Sequence, residues 1–343
     1  MLRALFKTSS YATGKRLQEH ADTVRLWLLT GAYEAWPKPA KVTAEDLDEL
    51  PSIAELRAIV SDRVQMQALT MLSAWHHERP PPQPPESSNS LIDEVARAQL
   101  EVERAAEMAA AQRRAWGFEL RVAPSSAGSG SGDGVLLSGS ALPGAAVAFY
   151  PGVTYEPHDV IALPNGTRFF DDNNWLMARF DRAIVDASPK ALALLPGEAR
   201  ALPLCVAQMV NHPPRDVKPN VVPAPVYWDR RVPAELIELL PNVSYERSSQ
   251  KQRALLLDTG DGNDGPRRSR RWDLSDIFRH SIAEGMRPAY DEEVGPVLKG
   301  IALIATRSLK DEELFLNYRL NPKNKNPEWY VPVDVEEDKR RWS

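Results

Sequence analysis

Three groups of residues beyond residue 130 have side chains and spacings that could do chemistry. Gly132 and Gly134 flank a single aspartate, and glycines let a backbone approach a ligand closely because they have no Cβ. A flexible linker would contain the same two residues. Asn211 and His212 stand side by side ahead of two prolines, and Tyr318 ends the run LKDEELFLNY. An amide, an imidazole and a phenol hydroxyl are groups that bind or orient polar ligands.

The composition narrows the classes of protein to which these residues can belong. The chain has 343 residues, a net charge of -5 and a single cysteine, Cys205. One cysteine excludes a disulfide framework and a structural zinc site built on several cysteines. The charge balance gives no reason to expect specific DNA binding, and no apolar run is long enough for a membrane span.

The first residues have the composition of a targeting segment. Residues 1–18 carry four basic side chains, several hydroxyl side chains and no acidic residue. Leu2, Leu5 and Phe6 would share one face of a helix, with Arg3 and Lys7 on the other. This pattern predicts a mitochondrial presequence and a matrix location. An unstructured basic terminus of a nuclear or cytoplasmic protein is the alternative.

The next part of the chain is predicted to be helical. Apolar residues recur at helical spacing over residues 19–77, which indicates a helical extension. Residues 78–90 are rich in proline, which fixes the backbone near polyproline II and predicts a semi-rigid linker. Residues 91–117 carry apolar side chains at alternating steps of four and three, so we predict one long helix that packs on its own domain or on a partner.

From residue 118 onward the pattern changes to short β-branched runs bounded by turn residues. The runs predicted to be strands include 135–137, 146–150, 184–185, 206–210, 221–228, 301–305 and 314–318. Such runs, with little helix between them, predict an α+β protein whose larger domain, residues 118–322, consists of small sheets. Residues 248–271 form a polar insert with several arginines, and residues 323–343 form a C-terminal tail. We expect the insert to be a surface loop, for which phosphate contact is an alternative.

Three of these signals occur in an order that resembles the SET domain of protein lysine methyltransferases. The segment Gly132-Asp133-Gly134-Val135 is similar to the opening glycine strand of that family. Asn211-His212, followed by Pro219-Asn220, is similar to its asparagine-histidine element, and the run ending at Tyr318 is similar to its closing motif. Residues 175–186 and the Asn-His-Pro-Pro form also resemble the group of SET-domain-containing protein 9.

The resemblance implies a protein-lysine N-methyltransferase that uses S-adenosylmethionine. It implies that Tyr318 is catalytic, orienting the lysine amine toward the methyl group. It implies that Gly132 and Gly134 bind the cofactor through amides that hold the methionine carboxylate. Asn211 would bind the amino-acid end through its side-chain amide, His212 would contact the adenine mostly through main-chain atoms, and Trp329 would cover the adenine.

The resemblance also gives Tyr150 a place in the substrate channel. A core tyrosine at the end of a strand is an equal alternative for Tyr150. An anchor for the C-terminal tail is the alternative for Trp329. No metal is expected at this site.

Two departures from the family pattern keep a second function open. Pro213 and Pro214 stand where the family has serine and cysteine, and the cysteine-rich zinc modules are missing. The alternative is therefore a catalytically silent SET-fold subunit of a mitochondrial complex such as the mitochondrial ribosome. The partner is a protein substrate in the first reading and a protein assembly in the second.

Overall fold

The protein is a mixed α+β molecule in which helices pack beside three small sheets. The computed structural model describes residues 14–38, 50–81, 94–128, 130–163, 170, 173–246 and 298–342. The polar insert 248–271, the larger part of the predicted presequence and most of the proline linker lie outside these residues, so those predictions stay predictions. Within the described ranges, no helix combines the length and apolar character that crossing a membrane requires.

Three long helices precede the sheets. These are α1 (Gly14–Glu34), α2 (Ile53–Glu78) and α3 (Glu94–Trp116). Helix α2 begins with a capping box, in which Ser52 and Glu55 exchange side-chain and backbone hydrogen bonds. Its buried face lies against the sheets and consists mainly of Leu56, Val60, Val64, Ala68, Leu72 and Trp75. The helical extension is thus part of the main core.

Ten strands are assigned in the described part of the chain, in three sheets. The first sheet has the order β1-β2-β10, the second β3-β9-β7 and the third β5-β6-β4-β8. All pairings are antiparallel except that of β4 with β8. The strands are β1 (Phe118–Pro124), β2 (Asp133–Ala141), β3 (Ala146–Tyr150), β4 (Gly152–Tyr155), β5 (Leu176–Ala178), β6 (Ile184–Asp186), β7 (Val221–Trp228), β8 (Asn242–Ser244), β9 (Leu298–Ala305) and β10 (Leu309–Glu313).

Shorter helical pieces join the strands. Helices α4 (Pro157–Ala162), α5 (Pro189–Leu192) and α6 (Gly197–Arg200) connect elements of the third sheet and the core. Helix α7 (Val335–Arg341) returns to α1, where Arg341 pairs with Asp22 at 2.6 Å. The C-terminal tail is therefore attached to the N-terminal helical layer.

The segment that follows β10 lies between the two ends of the connection formed by residues 211–221. Leu316 N donates to Asn211 O at 2.9 Å on one side. Asn220 N and Val221 N both donate to Phe315 O, at 3.0 and 3.2 Å, on the other. The chain from residue 211 to residue 221 therefore passes around the segment that leads to Tyr318, and tertiary hydrogen bonds fix this segment from both sides.

Two predicted strands differ in the structure. The run 206–210 forms a 3-10 turn at Ala207–Met209, because a short buried apolar run does not separate strand from turn by periodicity. The run 314–318 continues past the end of β10 with isolated bridges at Phe315 and Leu316. Its backbone donors are taken up by the 211–221 connection instead of a sheet ladder.

Candidate functional site

The Asn211-His212 pair lies where the ends of β2 and β10 meet. The Asn211 side chain donates from Nδ2 to the backbone oxygen of Asp133, with a separation of 2.9 Å. Asp133 is the residue between the two glycines of the first motif. Two of the three signals separated along the sequence are thus joined by a direct hydrogen bond.

Gly134 occupies a position that has no room for a side chain. A Cβ placed there would collide with the Glu313 carboxylate and would lie 3.2 Å from Asn211 Nδ2. Gly132 is different: it has a φ of +67° and open space around the Cβ position. The need for glycine comes from a close approach at residue 134 and from backbone conformation at residue 132.

His212 is buried and both of its ring nitrogens are occupied. The Tyr318 backbone amide donates to Nδ1 at 3.2 Å, so Nδ1 accepts and Nε2 carries the proton that it shares with the Val331 oxygen at 2.8 Å. Burial lowers the pKa of His212, which favours this neutral form. The ring therefore links the Tyr318 backbone to the C-terminal tail.

Tyr318 directs its hydroxyl into the interior. The hydroxyl donates to the Val210 oxygen at 3.1 Å, one residue before Asn211. Tyr150, the predicted channel residue, is buried nearby at the end of β3. Burial is the main reason that the pKa of Tyr150 is raised, and the neighbouring Tyr318 raises it further. The two phenol groups are thus close enough to interact electrostatically.

Aromatic rings from the C-terminal tail cover this region. The Tyr330 ring lies 4.5 Å from the His212 ring. The Trp329 ring is 6.3 Å from His212 and 6.2 Å from Tyr318, the latter edge to face. Trp329 remains 43% exposed, so a flat ligand has access to its ring. We call Gly134, Asn211, His212, Tyr318 and Trp329 the candidate site.

Asn220 positions the candidate site and was not assigned a role from the sequence. It is buried, its Oδ1 accepts from Phe315 N at 2.7 Å, and its Nδ2 donates to Glu313 O at 2.8 Å and Glu312 Oε2 at 2.9 Å. The side-chain amide of Asn220 therefore fixes the backbone of residues 313–315, which precede Tyr318. The Pro219-Asn220 dipeptide was the available signal, but its partners lie more than ninety residues away.

A second buried polar cluster lies near the other end of β7 and β9. Arg179 donates to the backbone oxygens of Val226 and Gly300 and pairs with Asp181 at 3.1 Å. Lys299 pairs with Glu156 at 2.7 Å and with Asp181 at 3.3 Å. We call Glu156, Arg179, Asp181 and Lys299 the charged cluster.

Two surface concavities lie outside the candidate site. One of about 520 Å³ lies between α2 and the end of β7, with Arg57, Ser61 and Phe180 in its lining. Another of about 270 Å³ lies beside Asn317 and Arg319 and includes Arg25 of α1. None of the five candidate-site residues lines either one. In the described ranges, no three side chains among His, Cys, Asp and Glu are grouped as a metal site.

No protein-family model matches the sequence, and no curated protein matches it significantly.

The structure therefore brings most of the predicted residues together. Gly134, Asn211, His212, Tyr318 and Trp329 form connected contacts, and Tyr150 lies beside Tyr318. Gly132 stays in the loop before β2, where its oxygen accepts from Ser125 N at 3.0 Å. The candidate-site residues were predicted from their identity and their order along the sequence. The contacts of Glu313 and Asn220 with this site are seen only in the folded structure.

Proposed function

We propose that this protein is an S-adenosylmethionine-dependent protein-lysine N-methyltransferase with a SET-like domain. The observation that carries the proposal is the proximity of Asn211, Gly134, His212 and Tyr318, which are spread over nearly two hundred residues of sequence. Trp329 adds an exposed ring next to them. When bound, the cofactor supplies an electrophilic methyl group.

The residues present fit the chemical groups of this cofactor. The exposed ring of Trp329 suits the flat adenine ring, since aromatic side chains stack on such rings. His212, whose ring is buried, would contact the adenine through main-chain atoms. The Asn211 amide, whose hydrogen bond to Asp133 is solvent-exposed, suits the amino-acid end. Gly134 lets these groups approach closely. The chain would thus hold the two ends of the cofactor with separate elements.

The lysine amine must be neutral before it can attack a methyl group. Its ordinary pKa near 10.4 means that deprotonation at pH 7 costs about 4 to 5 kcal/mol. A buried channel lowers that pKa because burial disfavours the ammonium form. Tyr150 and Tyr318 would form the wall of such a channel, and the Tyr318 hydroxyl would orient the amine nitrogen toward the methyl carbon.

Calorimetric titration of the purified chain with S-adenosylmethionine tests this proposal. We expect saturable binding, and transfer of tritiated methyl groups from the cofactor to an array of lysine-containing peptides. Tyr318→Phe should lower methyl transfer by at least about a hundredfold, because the orienting hydroxyl is lost, and leave cofactor affinity within about threefold. Equal transfer by this variant and the unaltered chain would rule out the catalytic role of Tyr318.

Two observations favour the second candidate, a catalytically silent subunit. Neither concavity is lined by the candidate site, and the Tyr318 hydroxyl already has a partner in Val210 O. An absence of heat at millimolar cofactor would support this candidate. The mitochondrial location and a contact with the mitochondrial ribosome are further proposals. A reporter fused to residues 1–25 tests the location, and a diffuse cytosolic signal would exclude it.

A further inference from the structure

Four charged side chains form a closed set of ion pairs next to Tyr318. They come from three parts of the chain: Asp22 from α1, Arg319 from the turn that follows Tyr318, and Glu337 and Arg341 from α7. We call these four residues the ion-pair network. Their side chains are only 16 to 21% exposed. Solvent therefore screens their attraction less than it would at an open surface.

Each acid of the ion-pair network contacts both arginines. Asp22 Oδ2 lies 2.6 Å from Arg341 Nη2, and Asp22 Oδ1 lies 3.5 Å from Arg319 Nη2. Glu337 Oε1 lies 2.9 Å from Arg319 Nε and 3.0 Å from Arg341 Nη2. Two negative and two positive charges thus alternate around a ring. Removal of one acid leaves two arginines beside a single carboxylate, and their repulsion would push them apart.

Arg319 has a backbone conformation that depends on support from its surroundings. Its φ is +52°, in the left-handed region that residues with a side chain rarely adopt. Its amide donates to Asn317 Oδ1 at 3.0 Å, and its carbonyl accepts from Trp342 Nε1 at 3.0 Å. Such a conformation persists only where the surrounding structure fixes it. The ion-pair network supplies this support through the Arg319 side chain.

The turn at Arg319 sets the direction of the Tyr318 side chain. Tyr318 directly precedes Arg319, and its own amide donates to His212 Nδ1 at 3.2 Å. The backbone is thus fixed by His212 on one side of Tyr318 and by the turn on the other. A change in the turn would rotate the Tyr318 ring and move its hydroxyl away from Val210 O, which it reaches at 3.1 Å.

We infer that Asp22 is a positioning residue for Tyr318 and acts on it through Arg319. This inference rests on the proposed function, in which the Tyr318 hydroxyl orients the lysine amine. Asp22 precedes Arg319 by 297 residues in the sequence, so only the fold brings the two together. Helix α1 thereby contributes to the candidate site as well as to the core.

Asp22→Asn removes the charge, keeps the shape of the side chain and tests the inference. With carbon-13 in the tyrosine rings, Tyr318→Phe assigns the Cζ signal of Tyr318 among nine tyrosines. This signal reports the hydrogen bond of the hydroxyl. Asp22→Asn should shift the signal and lower kcat for methyl transfer on the order of tenfold, with KM for the peptide within about threefold. Asp22→Glu keeps the charge and should restore most of the rate.

Glu19→Gln is the matched control on the same helix. Glu19 lies three residues before Asp22 and pairs with Arg57 of α2 at 3.5 Å, outside the ion-pair network. This variant should leave the Tyr318 signal in place and kcat within about twofold, because it does not reach the turn at Arg319. Thermal unfolding checks that both variants are folded.

The spectra and the kinetics separate this inference from the proposed function. An unmoved Tyr318 signal in folded Asp22→Asn, or an equal shift in Glu19→Gln, would overturn the inference. Equal rates of methyl transfer by Asp22→Asn and the unaltered chain would also overturn it and leave the proposed function standing. A shift in Asp22→Asn alone, in a chain that transfers no methyl group, would support the positioning contact and contradict the proposed function. If Asp22→Asn does not fold, Glu337→Gln removes the other acid next to Arg319, and the same measurements decide.

Discussion

The candidate site and the charged cluster both bury polar groups, but they do so in opposite ways. In the charged cluster, Arg179, Asp181 and Lys299 carry full charges and neutralise one another. Arg179 has 1% of its side chain exposed. In the candidate site, the neutral ring of His212 joins backbone groups, and Trp329 leaves a ring face open to solvent.

This difference favours a structural role for the charged cluster and a binding role for the candidate site. A closed set of paired charges has no capacity left for a ligand, and its removal exposes unpaired charge in the interior. A set of neutral groups with an open aromatic face can still accept a ligand. Changes in the charged cluster should therefore act on stability, and changes in the candidate site should act on ligand binding.

The largest effect is expected for Arg179→Met. This change leaves Asp181 buried with one cation fewer and leaves the oxygens of Val226 and Gly300 without their donor. The free energy of unfolding should fall by about 3 to 5 kcal/mol, measured by urea denaturation. Arg114→Met is the matched control, because Arg114 pairs with Glu78 at 2.6 Å on the surface and its loss should cost at most about 1 kcal/mol. Equal losses in the two variants would remove the distinction between the regions.

Asn220→Asp should have the next largest effect, because it places a buried carboxylate beside that of Glu312. The new carboxylate would face Glu312 Oε2 and the Glu313 oxygen, where the amide now donates. We expect a loss of about 3 kcal/mol in the free energy of unfolding at pH 8. The loss should shrink at pH 5, where the introduced carboxyl is protonated in part. A loss that does not change with pH would contradict this account.

Gly134→Ala and Gly132→Ala form a matched pair two residues apart. The first places a methyl group against the Glu313 carboxylate and should cost about 2 kcal/mol and disturb cofactor binding. The second meets open space, and its cost of about 1 kcal/mol comes only from the positive φ. Chemical denaturation and titration of both variants check this. Similar binding defects would show that the loop conformation, and not the close approach, matters.

A smaller effect is expected for Asp338→Asn in α7. Burial is the main cause that raises the pKa of Asp338 to about 6. Because the folded pKa is raised above its ordinary value, the folded state resists ionisation. The carboxyl therefore destabilises the protein progressively as pH rises from about 4 to about 6, and the loss is complete above that pH. At pH 8, the free energy of unfolding of the variant should exceed that of the unaltered chain by roughly 1 to 2 kcal/mol. This difference should fall toward zero near pH 4.

The contact between Asp338 and Tyr330 connects this titration to the candidate site. The Tyr330 hydroxyl lies 3.5 Å from Asp338 Oδ2, and its ring packs on His212. Any contribution of His212 to the pH dependence of stability is the same in the Asp338→Asn variant and in the unaltered chain. It therefore cancels in the stability difference between them. A stability difference that is constant between pH 4 and pH 8 would contradict the raised pKa of Asp338.

The secondary-structure elements could be predicted from the sequence more fully than the tertiary contacts between them. The bounds of β3 and β7 follow from β-branched runs enclosed by turn residues, and the α+β class follows from many such runs beside helices. The grouping of Asn211 and Tyr318 was expected only through a family resemblance. The roles of Glu313 and Asn220 could not be predicted, because their partners are set by tertiary contacts with remote segments.

Nitrogen-15 spectra of the tryptophan indoles test the central claim most directly. The chain has nine tryptophans, and Trp329→Phe assigns the signal of Trp329. On addition of S-adenosylmethionine, the Trp329 signal should shift and saturate with the dissociation constant found by calorimetry. The signals of Trp36 and Trp175, which are also exposed, should not move. An unchanged Trp329 signal at saturating cofactor would contradict a methyl-donor site built from Gly134, Asn211, His212, Tyr318 and Trp329.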